Sequence, residues 1–88
     1  MKVKNMTSPR TGRTIVNQFI IEDGGKTYFQ SYDTIIAVKE NGKITLDKNY
    51  WDYSATTSKY RNKFTGLNTE ETKKAIKAGE IKLENLNK

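Results

Sequence analysis

The alternation of apolar and polar residues predicts β-structure in the first half of the chain. Residues 14–22, TIVNQFIIE, place Ile15, Phe19 and Ile21 on one alternating face, as expected for a half-buried strand. Three shorter runs of similar character follow, at residues 26–31, 34–39 and 43–47. From residue 14 to residue 47 we therefore predict an antiparallel meander of about four strands.

Two short turns connect successive strands. Asp23-Gly24-Gly25 supplies residues that tolerate a positive φ, which is a hairpin signal, and Asn41-Gly42 is the short signal for a type I′ turn, whose two central residues both need a positive φ. The two-residue loop at Asn41-Gly42 also fixes the register, and it sets Lys39 opposite Ile44. We therefore expect four apolar residues to share the core-facing side of this hairpin: Ile35, Ala37, Ile44 and Leu46.

The hydrophobic period changes in the second half of the chain. Tyr60, Phe64 and Leu67 fall at i, i+4 and i+7, the spacing of one helical face, and Ser54 could be the N-cap. The Thr56-Thr57 pair lowers helix propensity. A short helix and a strand therefore remain alternatives for residues 55–65.

A second helix is indicated from about Thr69 to Ala78. Asn68 as N-cap with Glu71 three residues later approximates a capping box, and Gly79 is a stop signal. The next residues, EIKLENL, predict a short closing strand. The predicted fold class is α+β: a meander of about four strands, one or two short helices and a short C-terminal strand.

The 88 residues suffice for one small domain with a thin core, which we place at residues 14–88. Residues 1–13 contain the only proline of the chain together with Ser, Thr and Gly, and we interpret them as a flexible basic arm or an edge segment. We find no signal-peptide pattern and no apolar run long enough to span a bilayer, so we expect a cytoplasmic protein without membrane contacts.

Charge narrows the class of partner. Sixteen Lys and Arg residues against ten Asp and Glu residues give a net charge of +6. Two segments carry bases and no acid: the first 16 residues and TSKYRNK, residues 57–63. This distribution favours an anionic partner, which we expect to be nucleic acid or a host protein that handles nucleic acid. A charged surface that serves only solubility is the alternative.

The chemistry available to the chain is limited. The sequence has no histidine and no cysteine, which removes the usual general base near neutral pH, the commonest zinc ligands and the thiol nucleophile. Asp47 and Asp52 could in principle chelate Mg²⁺, but their spacing matches no motif, and we interpret them as turn and capping carboxylates. We therefore predict no enzymatic activity, no cofactor and no metal.

Aromatic and basic residues are concentrated together in residues 50–64. Nucleic-acid binders combine cations that neutralise phosphates with aromatic rings on which bases stack. Trp51 and Phe64 are expected in the core because they are among the largest apolar side chains available to fill it. The residues predicted to contact nucleic acid or a protein partner are Arg10, Arg13, Lys26, Tyr28, Tyr53, Lys59, Arg61 and Lys63.

Three segments carry a family resemblance: FQSYDTIIAVKENGKITLD, YWDYSATTSKYRNKF and ETKKAIKAGEIKLENLN. In this order they resemble a family of small, uncharacterised proteins encoded by bacteriophages and plasmids, with a WDYS-x-TT-x-KY segment, over roughly residues 12–87. Thr65-Gly66 stands where the family pattern has Leu-Gly. The resemblance implies an accessory protein of a mobile element.

Three kinds of function suit such a protein. We predict nucleic-acid binding by a basic face. The alternative is an anti-CRISPR-like inhibitor of a host defence protein that acts by protein–protein binding. A structural component of the virion is a third possibility.

Overall fold

The computed structural model describes residues 1–8 and 10–87, and over these residues it contains one six-stranded sheet and two helices. In chain order the elements are β1 (Lys2–Thr7), β2 (Thr14–Asp23), β3 (Lys26–Ser31), β4 (Thr34–Glu40), β5 (Lys43–Asp47), α1 (Ala55–Thr65), α2 (Thr69–Lys77) and β6 (Ile81–Glu84). The sheet order is β1-β2-β3-β4-β5-β6. The predicted α+β class is confirmed, with five antiparallel strands instead of about four.

The N-terminal residues form a strand instead of the predicted flexible arm. Lys2–Thr7 pairs antiparallel with β2, with Lys4 opposite Ile20, and Met6 is buried in the core. The sheet therefore begins at Lys2 rather than at Thr14. Of the two interpretations of residues 1–13, the structure agrees with the edge segment for Lys2–Thr7. Pro9 and Lys88 lie outside the described residues.

The Asn41-Gly42 turn has the predicted conformation, with φ of 55° and 76° at its two residues. The predicted register follows, because Ala37 pairs with Leu46 and Lys39 pairs with Ile44. Ala37 and Leu46 are fully buried.

A bulge in β4 makes the prediction for Ile35 wrong. Phe29 pairs with Ala37, whereas the next residue of β3, Gln30, pairs with Ile35, so Ile36 is an extra residue in β4. Ile36 and Ala37 are both fully buried. The extra residue turns Ile35 to the opposite face of the sheet.

A second irregularity lies in β2, and the side of this strand that was predicted to face the core is therefore wrong. Asn17 has a left-handed backbone conformation with φ of 68°, and the pairing of β1 with β2 shifts beyond Phe19. As a result Ile15 and Ile20 pack against the core. Phe19 and Ile21 lie on the opposite face, because Ile20 pairs with the buried Phe29 and side chains alternate along a strand.

Residues 55–65 form a helix, which decides the alternative left open by the sequence. The Ser54 side chain accepts a hydrogen bond from the Thr57 backbone N–H at 3.1 Å. Gly66 ends α1 in the left-handed conformation, with φ of 79°. Phe64 is buried, and its ring centroid lies 5.9 Å from that of Phe29.

The second helix begins as predicted. Asn68 accepts from the Glu71 N–H at 2.8 Å, and the Glu71 carboxylate accepts from the Asn68 N–H at 2.9 Å, so the capping box is confirmed. The two helices carry the chain back across the sheet, and β6 consequently pairs parallel with β5.

Both helices lie on one face of the sheet and enclose a single core with it. The buried apolar residues are Met6, Phe29, Ile36, Ala37, Leu46, Tyr60, Phe64 and Ile81. Trp51 is only partly buried, at the margin of this cluster, whereas Phe64 is buried as predicted. Within the described ranges, no helix has the length and apolar character needed to cross a membrane.

Candidate nucleic-acid interface

A shallow groove of about 430 Å³ lies between α1 and the β1–β2 side of the sheet. Its lining includes three apolar side chains, from Met6, Ile20 and Phe64, and three lysines, Lys4, Lys39 and Lys63. We call this feature the lysine groove.

Each lysine reaches the groove from a different element of the fold. Lys4 lies on edge strand β1 opposite Ile20, on the face that also buries Met6. Lys39 lies on β4 opposite Thr27. Lys63 precedes Phe64 near the end of α1. Residues far apart in sequence are therefore brought together by the sheet register and by the docking of α1.

Contacts within the groove hold two of the lysines in place. The Lys39 Nζ lies 4.6 Å from the centroid of the Phe64 ring, within range of a cation–π interaction. The Lys63 Nζ donates to the Thr7 carbonyl oxygen and, at 3.1 Å, to the Thr7 hydroxyl. These contacts link α1 to the sheet and keep both ammonium groups at the groove.

All the charged side chains among the described lining residues of the groove are positive. Among the described residues, no carboxylate lines it. Over residues 1–8 and 10–87 the ion pairs are Lys26–Glu40 and Arg61–Asp52, so neither uses a groove lysine. Three ammonium groups without a carboxylate partner create a positive potential and can donate hydrogen bonds to an anion such as phosphate.

Arg10 and Arg13 are exposed in the connection between β1 and β2. The ends of this connection are tied by a hydrogen bond of 2.8 Å from the Ser8 N–H to the Arg13 carbonyl oxygen. The connection starts after Thr7, which is the residue that binds Lys63. Two predicted site residues therefore belong to a connection that leaves the sheet beside the lysine groove.

Arg61 is not the exposed cation that the sequence predicted, because it is fully buried. Its Nη1 donates to the Trp51 carbonyl oxygen at 2.5 Å, and its Nη2 donates to Asn62 Oδ1 at 2.9 Å and to Thr69 Oγ1 at 3.0 Å. The guanidinium carbon also lies 5.1 Å from the centroid of the Trp51 ring. Arg61 therefore joins the aromatic loop before α1 to the start of α2 and cannot reach phosphates.

Helical spacing explains this burial. The buried residues of α1 are Thr57, Tyr60, Arg61 and Phe64, which lie at i, i+3, i+4 and i+7 and form one stripe. The same spacing was visible in the sequence. It would have placed Arg61 on the buried side once residues 55–65 were accepted as a helix.

Lys26 and Tyr28 are separated from the lysine groove. Both lie on the face of the sheet opposite the helices, where the Lys26 Nζ is 4.0 Å from a carboxylate oxygen of Glu40. Tyr28 is partly exposed and its neighbour Phe29 is fully buried, so the prediction that Tyr28 is the outward-facing residue is confirmed.

Lys59 and Tyr53 are exposed but do not line the groove. Lys59 lies on α1, and its Nζ is 5.5 Å from the centroid of the Tyr60 ring. Tyr53 lies in the loop before α1, where its ring packs edge-on against Tyr50 with 5.5 Å between centroids. The predicted site residues therefore do not form one surface.

Asp47 and Asp52 have structural partners. Asp47 is fully buried, and Oδ2 accepts from the N–H groups of Asn49 and Tyr50, both at 3.0 Å. Its Oδ1 accepts from the Leu86 N–H at 2.8 Å and from the Asn87 side chain at 3.1 Å. The prediction of a turn carboxylate is confirmed for Asp47. Over the residues that the structure describes, no three Asp or Glu side chains are grouped as a metal site would require.

Sequence reasoning missed Lys4 and Lys39. A signal for Lys39 was present, because the turn register had already placed it on the core-facing side opposite Ile44. Lys4 lies two residues before the buried Met6 and so shares its face, but this became informative only with β1 recognised as a strand.

Comparison with protein families places this chain in a family of unknown function (DUF8033), whose model matches residues 1–81, so the chain belongs to that family. A search of curated proteins and a search of solved structures each found no significant match. The phage or plasmid origin implied by the sequence resemblance stays a prediction.

Proposed function

We propose that this chain is a non-enzymatic accessory protein of a phage or other mobile element that binds nucleic acid in the cytoplasm of a bacterial host. The observation that carries the proposal is the lysine groove. Lys4, Lys39 and Lys63 come from three elements of the fold and line one groove, with no carboxylate among its described lining residues.

The groove suits the backbone of a nucleic acid better than a particular base sequence. Lysine is a flexible point charge that neutralises phosphates, and such contacts supply affinity without reading sequence. The apolar side chains of Met6 and Phe64 offer a surface for sugars or base edges between the charges. Arg10 and Arg13 extend the positive charge along the β1–β2 connection.

Binding of this kind depends steeply on salt, because each phosphate contact releases condensed counterions. The experiment is fluorescence anisotropy of labelled single-stranded DNA, duplex DNA and RNA, titrated with the protein at roughly 50 and 200 mM salt. We expect dissociation constants on the order of 10⁻⁴ to 10⁻⁶ M for sequence-independent binding, weakening between the two salt concentrations.

The variant that tests the site replaces Lys4, Lys39 and Lys63 together by Gln. The slope of log affinity against log salt should fall by about 0.7 to 0.9 for each phosphate that is no longer neutralised. The matched control replaces Lys73, Lys74 and Lys77 by Gln, which removes the same charge from α2. Equal reductions in the two variants would show that the net charge, and not the groove, causes binding.

Failure to bind any of the three nucleic acids at the lower salt would refute the proposal. It would favour the alternative of an inhibitor that blocks a host defence protein, such as a nucleic-acid-guided nuclease, by protein–protein contact. A pull-down from host lysate would then be the next experiment.

A further inference from the structure

The sheet face opposite the helices has an apolar row that crosses five strands. The register places Val3, Ile21, Tyr28, Val38 and Thr45 side by side on β1 to β5. Val3 is 56% exposed, and the other four side chains are partly exposed. No helix in the described part of the chain packs on this face, so we call it the open face.

A second row on the open face alternates in charge. Asp23, Lys26, Glu40 and Lys43 are paired in this order across β2 to β5. Each lies two residues from a member of the apolar row and therefore points to the same side. Within the chain, Lys26 and Glu40 are 4.0 Å apart.

This order of charges is self-complementary under a two-fold rotation. An axis parallel to the strands, between β3 and β4, would place a second copy of the sheet face to face with the first. Asp23 would then oppose Lys43 of the second copy, and Lys26 would oppose Glu40 of the second copy. The four-residue row has opposite signs at equivalent distances from the axis, so every acid meets a base.

The same rotation matches the apolar row to itself. Tyr28 would lie over Val38 of the second copy, and Ile21 would lie over the methyl group of Thr45. A two-fold interface is isologous and must be complementary to itself in this way. Face-to-face packing of two sheets about 10 Å apart is a common protein architecture.

We propose that the open face is a self-association surface through which two copies of this chain form a face-to-face dimer. A third row on the open face consists of Phe19, Gln30 and Ile35. Six strands about 4.8 Å apart and three rows of outward residues about 6.8 Å apart give a face of roughly 29 by 20 Å. This is roughly 600 Å² per copy, below the standard of about 800 Å² per partner. The dimer is therefore expected to be weak, with a dissociation constant in the micromolar range. The dimer does not depend on nucleic-acid binding, because the lysine groove lies on the other face.

Sedimentation equilibrium of the full chain, from low micromolar to submillimolar concentration, measures the dimer directly. The wild-type chain should change from monomer to dimer over this range. Lys26→Glu should weaken the dimer at least about tenfold, because two favourable charge pairs become repulsive. Lys59→Glu makes the same charge change on α1 and should leave the dimer unchanged.

Mixing two variants separates this interface from effects within one chain. Lys26→Glu alone and Glu40→Lys alone each place like charges across the two-fold axis. In an equimolar mixture of the two variants, each residue 26 opposes a residue 40 of opposite charge, so a heterodimer should form with near wild-type affinity. Circular dichroism of each variant alone checks that it is folded.

Three results would overturn the proposal. They are a wild-type chain that stays monomeric at submillimolar concentration, a dimer that Lys26→Glu leaves unchanged, and folded single variants whose mixture forms no heterodimer. A monomer whose affinity for RNA or DNA falls on Tyr28→Ala would instead assign the open face to nucleic acid.

Discussion

The two faces of the sheet are built from the same six strands but have different neighbours. One face packs against both helices, and its central side chains Phe29, Ala37 and Leu46 are fully buried. On the open face the neighbouring positions on the same strands, such as Tyr28 and Val38, are only partly buried. Residues next to each other in sequence therefore contribute very differently to stability.

Charge and aromatic character do not indicate which face of the fold a residue occupies. Arg61 and Lys63 are two residues apart on α1, yet Arg61 is fully buried and Lys63 is exposed at the lysine groove. Tyr28 and Phe29 are adjacent aromatics that lie on opposite faces. The buried residues that stabilise the fold lie on the helix-covered face. The two candidate binding surfaces are the lysine groove, at the margin of that face, and the open face.

Alanine substitution of the adjacent residues Phe29 and Tyr28 should change stability by very different amounts. Phe29→Ala should lower the free energy of unfolding by about 3 to 5 kcal/mol, because it leaves a cavity beside the Phe64 ring. Tyr28→Ala should cost about 1 kcal/mol or less. Urea unfolding at submicromolar protein, where we expect the proposed dimer to be dissociated, measures both. Similar decreases for the two variants would mean that the open face is covered in the folded protein.

A smaller effect contrasts two cations on α1. Arg61→Met should lower the free energy of unfolding by about 2 to 3 kcal/mol, since the Trp51 carbonyl and the Thr69 hydroxyl lose a donor. Lys63→Met should stay within about 0.5 kcal/mol of the wild type in stability, but it should weaken nucleic-acid binding. Urea unfolding measures the two stabilities, and fluorescence anisotropy measures the binding.

The control for this pair is Arg61→Lys, which keeps the charge. It should restore little stability, because one ammonium group cannot reach the acceptors that the planar guanidinium bridges. Full stability of this variant in urea unfolding would contradict the bridging role of Arg61.

The smallest effect concerns the helix that covers the margin of the core. α2 has one buried residue, Thr72, so its capping box contributes a large share of its local stability. Asn68→Ala should lower the free energy of unfolding by about 1 kcal/mol. Asn49→Ala, in the exposed loop after β5, is the matched control and should have little effect on thermal unfolding. A similar decrease in both variants would show that the cap is not the cause.

Local chemistry made several elements predictable from the sequence. Asn41-Gly42 required a tight turn with two positive φ angles, and this fixed the register of Ala37 and Leu46. Asn68 and Glu71 satisfied each other's backbone donors and marked the start of α2. These features depend on residues a few positions apart, so the sequence alone contains the required information.

The candidate site was only partly predictable. Lys63, Arg10 and Arg13 were recognised from local charge, but Lys4 and Lys39 were not, because the groove exists only after β1 joins the sheet and α1 crosses it. The exposure of Arg61 was predicted wrongly, because its acceptors come from Trp51 and Thr69, which lie in the preceding loop and at the start of the next helix.

Sequence alone was sufficient to predict the α+β class, the register of the Asn41-Gly42 hairpin, the start of α2 and the excess of positive charge. Tertiary structure decided which side of each strand faces the core, because the bulges at Asn17 and Ile36 reverse the alternation that local pattern predicts. It also decided which cations reach solvent, because burial depends on contacts between residues far apart in the chain. Short-range propensities cannot encode such contacts, since their energies appear only when the sheet and the helices have packed together.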